Sequence, residues 1–331
     1  MIIESRAYAR AGLLGNPSDG YYGKTISIII KNFGVIVSLY QTPELKIEEQ
    51  TDELNKYRNI YDLVDKVSLT GYYGAARLIK ATIKKFCEYC EESRIKLSNK
   101  NFTIRCQSSI PRQVGLAGSS AIVTATIRAL MKFYSVDIPI YMIPSIVLSV
   151  EVEELGINAG LQDRVIQAYE GCVYMDFNKE HLLSKKYGKY ESLNPKLLPK
   201  LYLAYKTELS KVSGTVHNTL KSRYDKGDQQ VISILDRIAS IAEEGRTAIR
   251  KMDYAQLNKL INENFDCRRK IMDISSSNLK MVKTVRMCGA SAKFSGSGGA
   301  IIGMYQDDEM LSKLVVNLKK INARVIKPYI L

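Results

Sequence analysis

The sequence predicts an α+β protein built from two domains, and three features of the chain carry this prediction. A chain of 331 residues with 46% hydrophobic content is long enough to fill two mid-sized cores. In the first half, a β-rich segment, a glycine-rich loop and an amphipathic helix follow one another. In the last third, a group of helical segments precedes a strand, a turn, a second strand, a helix and a final strand, an order typical of α+β domains.

Runs of β-branched and aromatic residues predict the strands. These runs span residues 25–40, 102–108, 172–177, 201–205 and 324–330. The first run contains Asn32 and Gly34, which predict a turn or bulge between two strands. A polar stretch rich in lysine, tyrosine, asparagine and proline separates the third run from the fourth. We interpret this stretch as a linker, and it divides the chain into predicted domains of residues 1–200 and 201–331.

Apolar residues at intervals of three and four predict the helices. The helical segments are residues 76–92, 122–134, 144–155, 214–224, 228–250, 254–272, 277–288 and 307–320. The first of them contains Cys87 and Cys90, which form a C-x-x-C pair. Because no second pair accompanies this one, we interpret both cysteines as helix residues and not as zinc ligands.

Composition narrows the classes of protein to which the chain can belong. The formal charge of +14 and the isoelectric point near 9.3 fit a nucleic acid, an anionic membrane surface or a small acidic substrate. The basic residues are interleaved with acidic ones and form no recognisable module, so we expect no nucleic-acid partner. No apolar run approaches the ~20 residues that span a bilayer, and the first residues lack the pattern of an export signal. We therefore expect no membrane partner. Six cysteines are too few for a disulfide scaffold in a chain of this length, so we expect a cytoplasmic protein.

The most informative segment is P-R-Q-V-G-L-A-G-S-S-A, at residues 111–121. It places a tight glycine turn and two serine hydroxyls directly before the helix of residues 122–134. Unpaired N–H groups and the positive end of the helix dipole favour phosphate at such a helix N-terminus. A serine hydroxyl there can also bind magnesium. The alternative is an ordinary serine N-cap after a loop.

Two other catalytic patterns fail on the residues present. The sequence G-K-T at residues 23–25 ends like a P-loop, but Ser18 stands where the first glycine is required. A β-rich run then follows, where a P-loop needs a helix. A serine hydrolase is a poor fit because the chain has no G-x-S-x-G and only two histidines, His181 and His217.

Three further segments carry candidate functional groups. Residues 289–300 hold a second cluster of glycine and serine, which implies either a plain hairpin turn or a close approach to another segment or a ligand. Arg10 and Asp19 place one cation and one carboxylate on either side of a turn. The alternative is an ordinary surface loop. Asp163 follows a glycine turn, where it can serve as a base for a hydroxyl or pair with Arg164.

Together these segments resemble the three motifs of the GHMP kinases, the superfamily of galactokinase, homoserine kinase, mevalonate kinase and phosphomevalonate kinase. The spacing of Arg10, Gly15 and Asp19 matches the first motif. Residues 111–121 match the second, P-x-x-x-G-L-x-x-S-S-A, and residues 293–300 match the third, a glycine-rich loop. The resemblance covers essentially the whole chain.

Within this superfamily the chain resembles the glucuronokinases, sugar-1-kinases that act on D-glucuronate. The likeness lies in L-G-N-P-S-D at residues 14–19, I-P-R-Q at 110–113, A-G-L-Q-D-R at 159–164 and K-F-S-G-S-G-G at 293–299. Galactokinases carry Glu-His where this chain has Asn16 and Pro17. This departure argues against galactose, because the glutamate of galactokinases contacts the hydroxyls of a neutral sugar.

The resemblance implies an N-terminal domain of ribosomal-S5-like fold, with a left-handed β-α-β crossover, and a ferredoxin-like C-terminal domain. It implies ATP and Mg²⁺ as cofactors and a small sugar or sugar acid as substrate. The residues that it implies for ATP binding are Pro111, Gly115, Leu116, Ala117, Gly118, Ser119, Ser120, Ala121, Gly296, Ser297 and Gly298.

The resemblance also implies the chemical roles. Asp163 would deprotonate the anomeric hydroxyl, and Arg10 would stabilise charge on the reacting sugar oxygen or the transferring phosphoryl group. Ser120 and Glu151 would bind magnesium, because the family spacing places this glutamate twelve residues before the base, with Glu154 as its rival. The resemblance implies that Asp19 holds sugar hydroxyls, and the candidate substrate-binding residues are Asn16, Asp19, Gln162, Arg164 and Arg268.

A uronate adds a carboxylate, for which an arginine with two parallel donors is the best partner. The candidates are Arg112, Arg164 and the pair Arg268 and Arg269. The sequence slightly favours Arg164 for its place beside Asp163, although pairing with that carboxylate is an equal alternative. Other acceptors also stay open, namely a heptose phosphate, fucose or galacturonate, as does a non-catalytic binding protein on the same fold.

Overall fold

The computed structural model describes residues 2–48, 56–72, 76–157, 160–207 and 215–330. The chain forms two compact units, each assembled from separate stretches. Unit 1 consists of Met1–Ala9, Phe33–Ile110 and Gly118–Ala168, and unit 2 consists of Arg10–Asn32, Pro111–Ala117 and Tyr169–Leu331. The domain division at residue 200 stays a prediction. No helix of the described residues has both the length and the apolar character that crossing a membrane requires.

Unit 1 combines a β-sheet with helices. Its strands are parts of β1 (Ile2–Leu14) and β2 (Lys24–Thr42), followed by β3 (Leu45–Glu48), β4 (Lys56–Tyr57) and β5 (Asn101–Ser108). The order is β4, β3, β5, β2, in which β5 is antiparallel to β2 and parallel to β3. The helices are α1 (Ile60–Thr70), α2 (Arg77–Glu92), α3 (Gly118–Tyr134), α4 (Ile143–Ser149) and α5 (Gln162–Tyr169).

Aromatic side chains fill the core of unit 1 between β5, α2 and α3. The rings of Phe102 on β5 and Phe133 on α3 lie 5.2 Å apart and meet edge to face. Tyr134 contacts both Phe133, at 4.9 Å, and Phe86 of α2, at 6.1 Å. The pair of Tyr134 and Phe86 is stacked and the other two are edge to face, and aromatic pairs of both kinds add to the stabilisation from burial. This cluster fixes α3, the helix that begins at the glycine-rich loop, against the sheet.

The two cysteines lie on α2, as the sequence predicted, and the structure places them in this core. Cys87 and Cys90 are both buried, on the same face of α2 as Ile79, Ile83 and Phe86. Burial raises the pKa of the Cys90 thiol to about 11 and also raises that of Cys87. Both thiols are therefore protonated packing groups at neutral pH.

Unit 2 contains two antiparallel arrangements of strands. In the first, β6 (Cys172–Asp176) pairs with the beginning of β2 and with β7 (Lys189–Leu193), and α6 (Lys179–Lys185) lies between β6 and β7 in the chain. The second is a four-stranded sheet in the order β11, β8, β10, β9. Its strands are β8 (Leu201–Lys206), β9 (Lys293–Phe294), β10 (Ala300–Met304) and β11 (Ala323–Ile326). The helices are α7 (Thr215–Asp225), α8 (Gln229–Lys251), α9 (Tyr254–Ile271), α10 (Ser276–Met287) and α11 (Asp308–Lys319).

The four-stranded sheet and α9 hold the second glycine cluster in place. Phe265 of α9 packs edge to face on Phe294 of β9, with ring centres 5.3 Å apart. Tyr202 of β8 is fully buried and donates its hydroxyl to the carbonyl oxygen of Ser291 at 2.7 Å. A β-carbon on Gly303 of β10 would lie 1.7 Å from that same carbonyl oxygen, so only glycine fits there. The segment that leads into the glycine cluster is therefore closely packed.

The structure differs from the predicted elements in several places, and the elements α1, α5, β3 and β4 were not predicted. Residues 25–40 form one strand rather than two, because β2 changes partner from β6 to β5 near the predicted break. The predicted linker contains α6 and β7, where the ring of Tyr190 packs 6.0 Å from that of Phe177. Strand β1 was not predicted, because alanine has a low strand propensity and occupies buried inward positions of this strand, such as Ala7 and Ala9.

Replacement of Phe133 by alanine tests the aromatic core of unit 1. The Phe133→Ala variant loses its ring contacts and leaves a cavity, so we expect its free energy of unfolding to fall by about 3–5 kcal/mol. The control is Leu69→Ala on α1, where the side chain is 87% exposed and a change within about 0.5 kcal/mol is expected. Urea denaturation followed by circular dichroism measures both, and equal midpoints would contradict this description of the core.

Candidate active site

The glycine-rich loop of residues 111–117 leads into the N-terminus of α3, as the sequence predicted. Gln113, Gly115 and Ala117 have positive φ angles of 58°, 71° and 59°. Such a conformation costs a residue with a β-carbon about 1–2 kcal/mol. Gln113 and Ala117 both carry a β-carbon, so tertiary contacts must hold this loop against its local preference. Such strain is typical of binding loops.

Two serines at the start of α3 donate hydrogen bonds to one buried carboxylate in unit 1. The Ser119 hydroxyl donates to Glu151 Oε1 at 2.7 Å, and the Ser120 hydroxyl lies 2.9 Å from both carboxylate oxygens. Glu151 and Ser120 are 0% and 1% exposed. A π-helical turn, Val150–Glu154, carries Glu151 after α4, and such turns often occur at functional sites.

Arg164 of α5 is the ionic partner of Glu151. Its Nη2 donates to Glu151 Oε2 at 2.5 Å, and the arginine is 1% exposed. A fully buried carboxylate would be strongly destabilising without such a partner. The Nε and Nη1 atoms of Arg164 have no hydrogen-bond partner among the described residues. The partner that the structure gives to Arg164 is thus Glu151, which the sequence did not suggest.

Glu154, the rival metal ligand, faces a different set of groups. Its carboxylate accepts from Lys84 Nζ at 2.6 Å and from the Tyr72 hydroxyl at 2.7 Å. Burial opposes its ionisation, but these two donors hold the pKa of Glu154 below its ordinary value. Of the two glutamates, Glu151 is therefore the one that contacts the serines of α3.

The donor set of Ser120 and Glu151 fits a magnesium ion. Mg²⁺ prefers oxygen ligands, and it usually binds to one or two carboxylates together with substrate phosphates and water. Among the described residues, no group of three or more histidine, cysteine or acidic side chains is placed to hold a metal. A hydroxyl and a single carboxylate therefore suit an ion that completes its shell with phosphate oxygens.

Gln162 and Asp163 lie in the first turn of α5, directly before Arg164. Their exposed fractions are 4% and 8%. A carboxylate in the first turn of a helix is stabilised by the helix dipole. The structure therefore presents Asp163 as a largely desolvated carboxylate in the same unit as Glu151 and the serines of α3.

Arg10 joins two loops within unit 2. Its Nη1 donates to the carbonyl oxygen of Gly115 at 2.6 Å and to that of Ser295 at 3.1 Å, while its backbone N–H donates to Leu116 O at 3.2 Å. A β-carbon on Gly296 would lie 2.9 Å from this Nη1 atom. The arginine predicted to stabilise reaction charge is thus 5% exposed and held by the loop of residues 111–117.

The second glycine cluster packs its backbone directly against that loop. A β-carbon on Gly115 would lie 2.8 Å from Gly298 O, and one on Gly296 would lie 2.3 Å from Gly115 O. Gly298 and Gly299 have φ angles of 138° and 80°, which residues with side chains rarely adopt. The structure bears out both interpretations of this cluster, because it connects the antiparallel strands β9 and β10 and also closely approaches another chain segment.

Asn16 is tied to the strand that precedes the glycine cluster. Its Oδ1 accepts a hydrogen bond from Lys293 Nζ, which also donates to Gly12 O at 2.6 Å and to Phe294 O at 2.7 Å. The carbonyl oxygen of Asn16 accepts from Asn264 Nδ2 at 3.1 Å. These bonds shape the turn that leads to Asp19, which is 2% exposed.

Sequence reasoning missed the anchoring roles of Lys293 and Asn264. Both are buried polar residues within otherwise apolar patterns, on β9 and on α9. A lysine between two apolar residues of a strand, or an asparagine on the buried face of a helix, is the signal that could have found them. Their partners, however, lie more than 240 positions away in the chain.

Arg268 of α9 contacts the second glycine cluster as well. Its Nη1 donates to Gly296 O at 2.9 Å, and its guanidinium lies 5.1 Å above the centre of the Phe294 ring. Burial, with the nearby charge of Arg10, lowers the pKa of Arg268 to about 10, although Asp19 opposes the shift. Two other candidate cations, Arg112 and Arg269, are exposed.

Comparison with known proteins identifies a family, two relatives and a solved structure to which this chain is similar. Residues 77–171 match the family described as GHMP kinases N terminal domain. The chain is 43% identical to probable glucuronokinase 2 of Arabidopsis thaliana, over 99% of this chain and 91% of that protein. It is 44% identical to glucuronokinase 1 of the same plant, over 91% of this chain and 84% of that protein. The crystal structure of Methanococcus jannaschii mevalonate kinase superposes with a TM-score of 0.76 at 20% identity, over 100% of this chain and 98% of that one, which confirms the predicted fold class.

Lys293 makes the stability of unit 2 depend on pH. Burial, Arg268 and Arg10 hold the pKa of Lys293 well below the ordinary value of 10.5. At a pH between the lowered pKa and 10.5, the unfolded chain binds this proton and the folded chain does not, so the free energy of unfolding rises with pH in that window. The Lys293→Met variant lacks this contribution. We therefore expect the unfolding free energy of the wild type, relative to the variant, to increase as the pH is raised toward 10.5.

Urea denaturation at a series of pH values measures this difference. The matched control is Lys313→Met, at an exposed lysine whose pKa Glu309 raises, so no increase with pH is expected. A constant difference between the wild type and Lys293→Met would show that Lys293 titrates alike in the folded and unfolded chains.

Proposed function

Because this chain belongs to the GHMP kinases, within which its near full-length relatives are glucuronokinases, we propose that it transfers the γ-phosphoryl group of ATP to the anomeric hydroxyl of D-glucuronate. The products are D-glucuronate 1-phosphate and ADP. The observation that carries this proposal is the identity of 43% and 44% to two glucuronokinases over 99% and 91% of the chain. The chain is accordingly a sugar-1-kinase, and the family resemblance predicted from its three motifs is confirmed.

Phosphoryl transfer requires mainly positioning and neutralisation of the charge on the γ-phosphate. We propose that the loop of residues 111–117 and the first turn of α3 bind the phosphates of ATP through backbone N–H groups. The positive φ angles of Gln113 and Ala117 support this role, because they hold the loop in a form that the free chain would avoid. The glycine cluster with Gly296, Ser297 and Gly298 would support the loop from behind.

Ser120 and Glu151 are the residues that would hold Mg²⁺. When bound, the ion neutralises negative charge on the phosphates of the nucleotide. Ser119 supports this assignment, because its hydrogen bond to Glu151 orients the carboxylate in the same way as that of Ser120. The contacts of Glu154 with Lys84 and Tyr72 leave Glu151 as the better candidate of the two.

Asp163 is the proposed base for the anomeric hydroxyl, and Arg10 the proposed stabiliser of developing charge. A hemiacetal hydroxyl is more acidic than an ordinary alcohol, so a carboxylate can accept its proton as the new O–P bond forms. The burial of Asp163 supports this role, because bulk water is largely excluded from the carboxylate that would accept the proton. Asp19, Gln162 and Asn16 are the proposed ligands of the sugar hydroxyls.

We propose a cytoplasmic location and no nucleic-acid or membrane partner. The six cysteines are all free, which fits a reducing compartment. The large positive charge matches two acidic substrates, a nucleotide and a uronate. Both substrates are small molecules, so the proposed activity requires no macromolecular partner.

A panel of acceptors tests the proposed reaction. The protein is incubated with Mg²⁺-ATP and one of D-glucuronate, D-galacturonate, D-galactose, L-fucose or a heptose phosphate, and ADP release is followed with identification of the product. We expect D-glucuronate to give the highest kcat/KM and the 1-phosphate as product. Faster turnover of another acceptor would overturn the choice of D-glucuronate and leave the kinase chemistry in place.

The Asp163→Asn variant tests the proposed base. An amide cannot accept the proton, so we expect kcat for D-glucuronate to fall about 10²–10⁴-fold, while the affinity for a non-hydrolysable ATP analogue is retained. Glu153→Gln is the control in the same unit, because this glutamate is 64% exposed and pairs with Lys85. Steady-state kinetics and calorimetry measure both quantities, and a wild-type kcat in the asparagine variant would remove Asp163 from the mechanism.

A further inference from the structure

Unit 2 buries two cations, Arg268 and Lys293, whose hydrogen bonds in the described part of the chain all go to carbonyl or amide oxygens. Their exposed fractions are 3% and 1%. The buried carboxylate of Asp19 acts on both groups, but one carboxylate does not balance two buried cations. An unbalanced buried charge is unfavourable, so it needs an explanation in a native structure. Lys293 already donates to three oxygens, which uses all the protons of an ammonium group. Arg268 does not use all of its donors.

The guanidinium of Arg268 presents one edge without strong partners. A carboxylate binds an arginine through two parallel donors, either Nη1 with Nη2 or Nε with Nη2. In Arg268, Nη1 is anchored on Gly296 O at 2.9 Å, and this contact is buried. Nη2 lies 3.5 Å from Ser297 O, at the outer limit of a hydrogen bond, and this contact is only partly buried. Nε has no partner among the described residues, so the edge of Nε and Nη2 remains for a ligand.

The other candidate arginines are less suited to a substrate carboxylate. The Nη2 of Arg164 donates to Glu151 at 2.5 Å, so the charge of Arg164 is already balanced by a buried carboxylate of the protein. Arg112 and Arg269 are exposed, and ion pairs at exposed positions contribute little.

Contacts within unit 2 connect Arg268 to the segment assigned to the sugar. Its guanidinium lies over the ring of Phe294, at 5.1 Å from the ring centre. The carbonyl oxygen of Phe294 accepts hydrogen bonds from Lys293 and from Asn16 Nδ2, at 2.7 Å and 3.4 Å. The charge of Asp19 also acts on Arg268. Arg268 is thus a neighbour of Asn16 and Asp19, the two residues of unit 2 that are proposed to bind the sugar hydroxyls.

We propose that Arg268 binds the carboxylate of the sugar acid through Nε and Nη2, and that this contact makes the enzyme prefer a uronate to the corresponding neutral sugar. The contacts with Gly296 and Phe294 fix the plane of the guanidinium before the substrate arrives. This inference rests on the proposed function, because it takes D-glucuronate as the acceptor.

The test compares D-glucuronate with D-glucuronamide, which has nearly the same shape but no charge. For each acceptor, kcat/KM is measured with the wild type, Arg268→Gln, Arg268→Lys and Arg269→Gln. The readout is the ratio of the two kcat/KM values, because a general defect in catalysis lowers both and leaves their ratio unchanged. The KM for ATP is measured with both acceptors.

We expect the wild type to favour D-glucuronate, and Arg268→Gln to reduce the ratio about 10- to 100-fold, as for the loss of a hydrogen-bonded charge pair. Arg268→Lys keeps the charge but not the two parallel donors, so an intermediate ratio is expected. It also serves as the informative variant if Arg268→Gln does not fold. Arg269→Gln, at the exposed neighbouring arginine, should keep the wild-type ratio.

Two results would overturn this assignment. A wild-type ratio in both Arg268 variants would exclude contact with the sugar carboxylate. A rise in the KM for ATP that is equal for both acceptors, with the ratio unchanged, would assign Arg268 to the nucleotide phosphates instead. Failure of the wild type to use D-glucuronate, with turnover of a different acceptor, would instead refute the proposed function itself.

Discussion

The contact between the loop of residues 111–117 and the second glycine cluster is the constraint on which the candidate site depends. The two segments approach each other so closely that a β-carbon on Gly115 would collide with Gly298 O, and one on Gly296 with Gly115 O. Arg10 fixes this contact through the carbonyl oxygens of Gly115 and Ser295. With no side chains in between, the backbone position of one segment determines that of the other. The loop is thereby held in a conformation that its own residues disfavour.

Buried charges extend this preorganisation to the side chains. In unit 1, Glu151 is oriented by two serine hydroxyls and neutralised by Arg164. In unit 2, Arg268 and Lys293 are fixed by backbone oxygens. Such arrangements contribute little to stability, because desolvation offsets the attraction between charges. Their benefit is that oriented charges and dipoles need no rearrangement when a charged substrate binds and reacts.

The fold could be predicted where local pattern and tertiary role agree. The strands β5, β6 and β8 are rich in β-branched or aromatic residues, which predict strands. The helices α2 and α9 carry apolar residues at intervals of three and four, which predict helices. Strand β1 could not be predicted, because alanines at its inward positions give no strand signal and are selected by close packing. The partner change within β2 is also decided by distant strands, which local propensity cannot reveal.

The sequence by itself determined the family, the fold class and the segments that carry the candidate site, because glycine turns, helix starts and motif spacings are local properties of the chain. Only the tertiary structure decided which of two nearby glutamates faces the serines of α3, and that Arg164 pairs with Glu151 rather than Asp163. The same holds for Lys293, whose partner Asn16 lies 277 positions away. Which buried charges meet depends on packing between distant segments, and desolvation makes these pairings decisive in the folded chain alone.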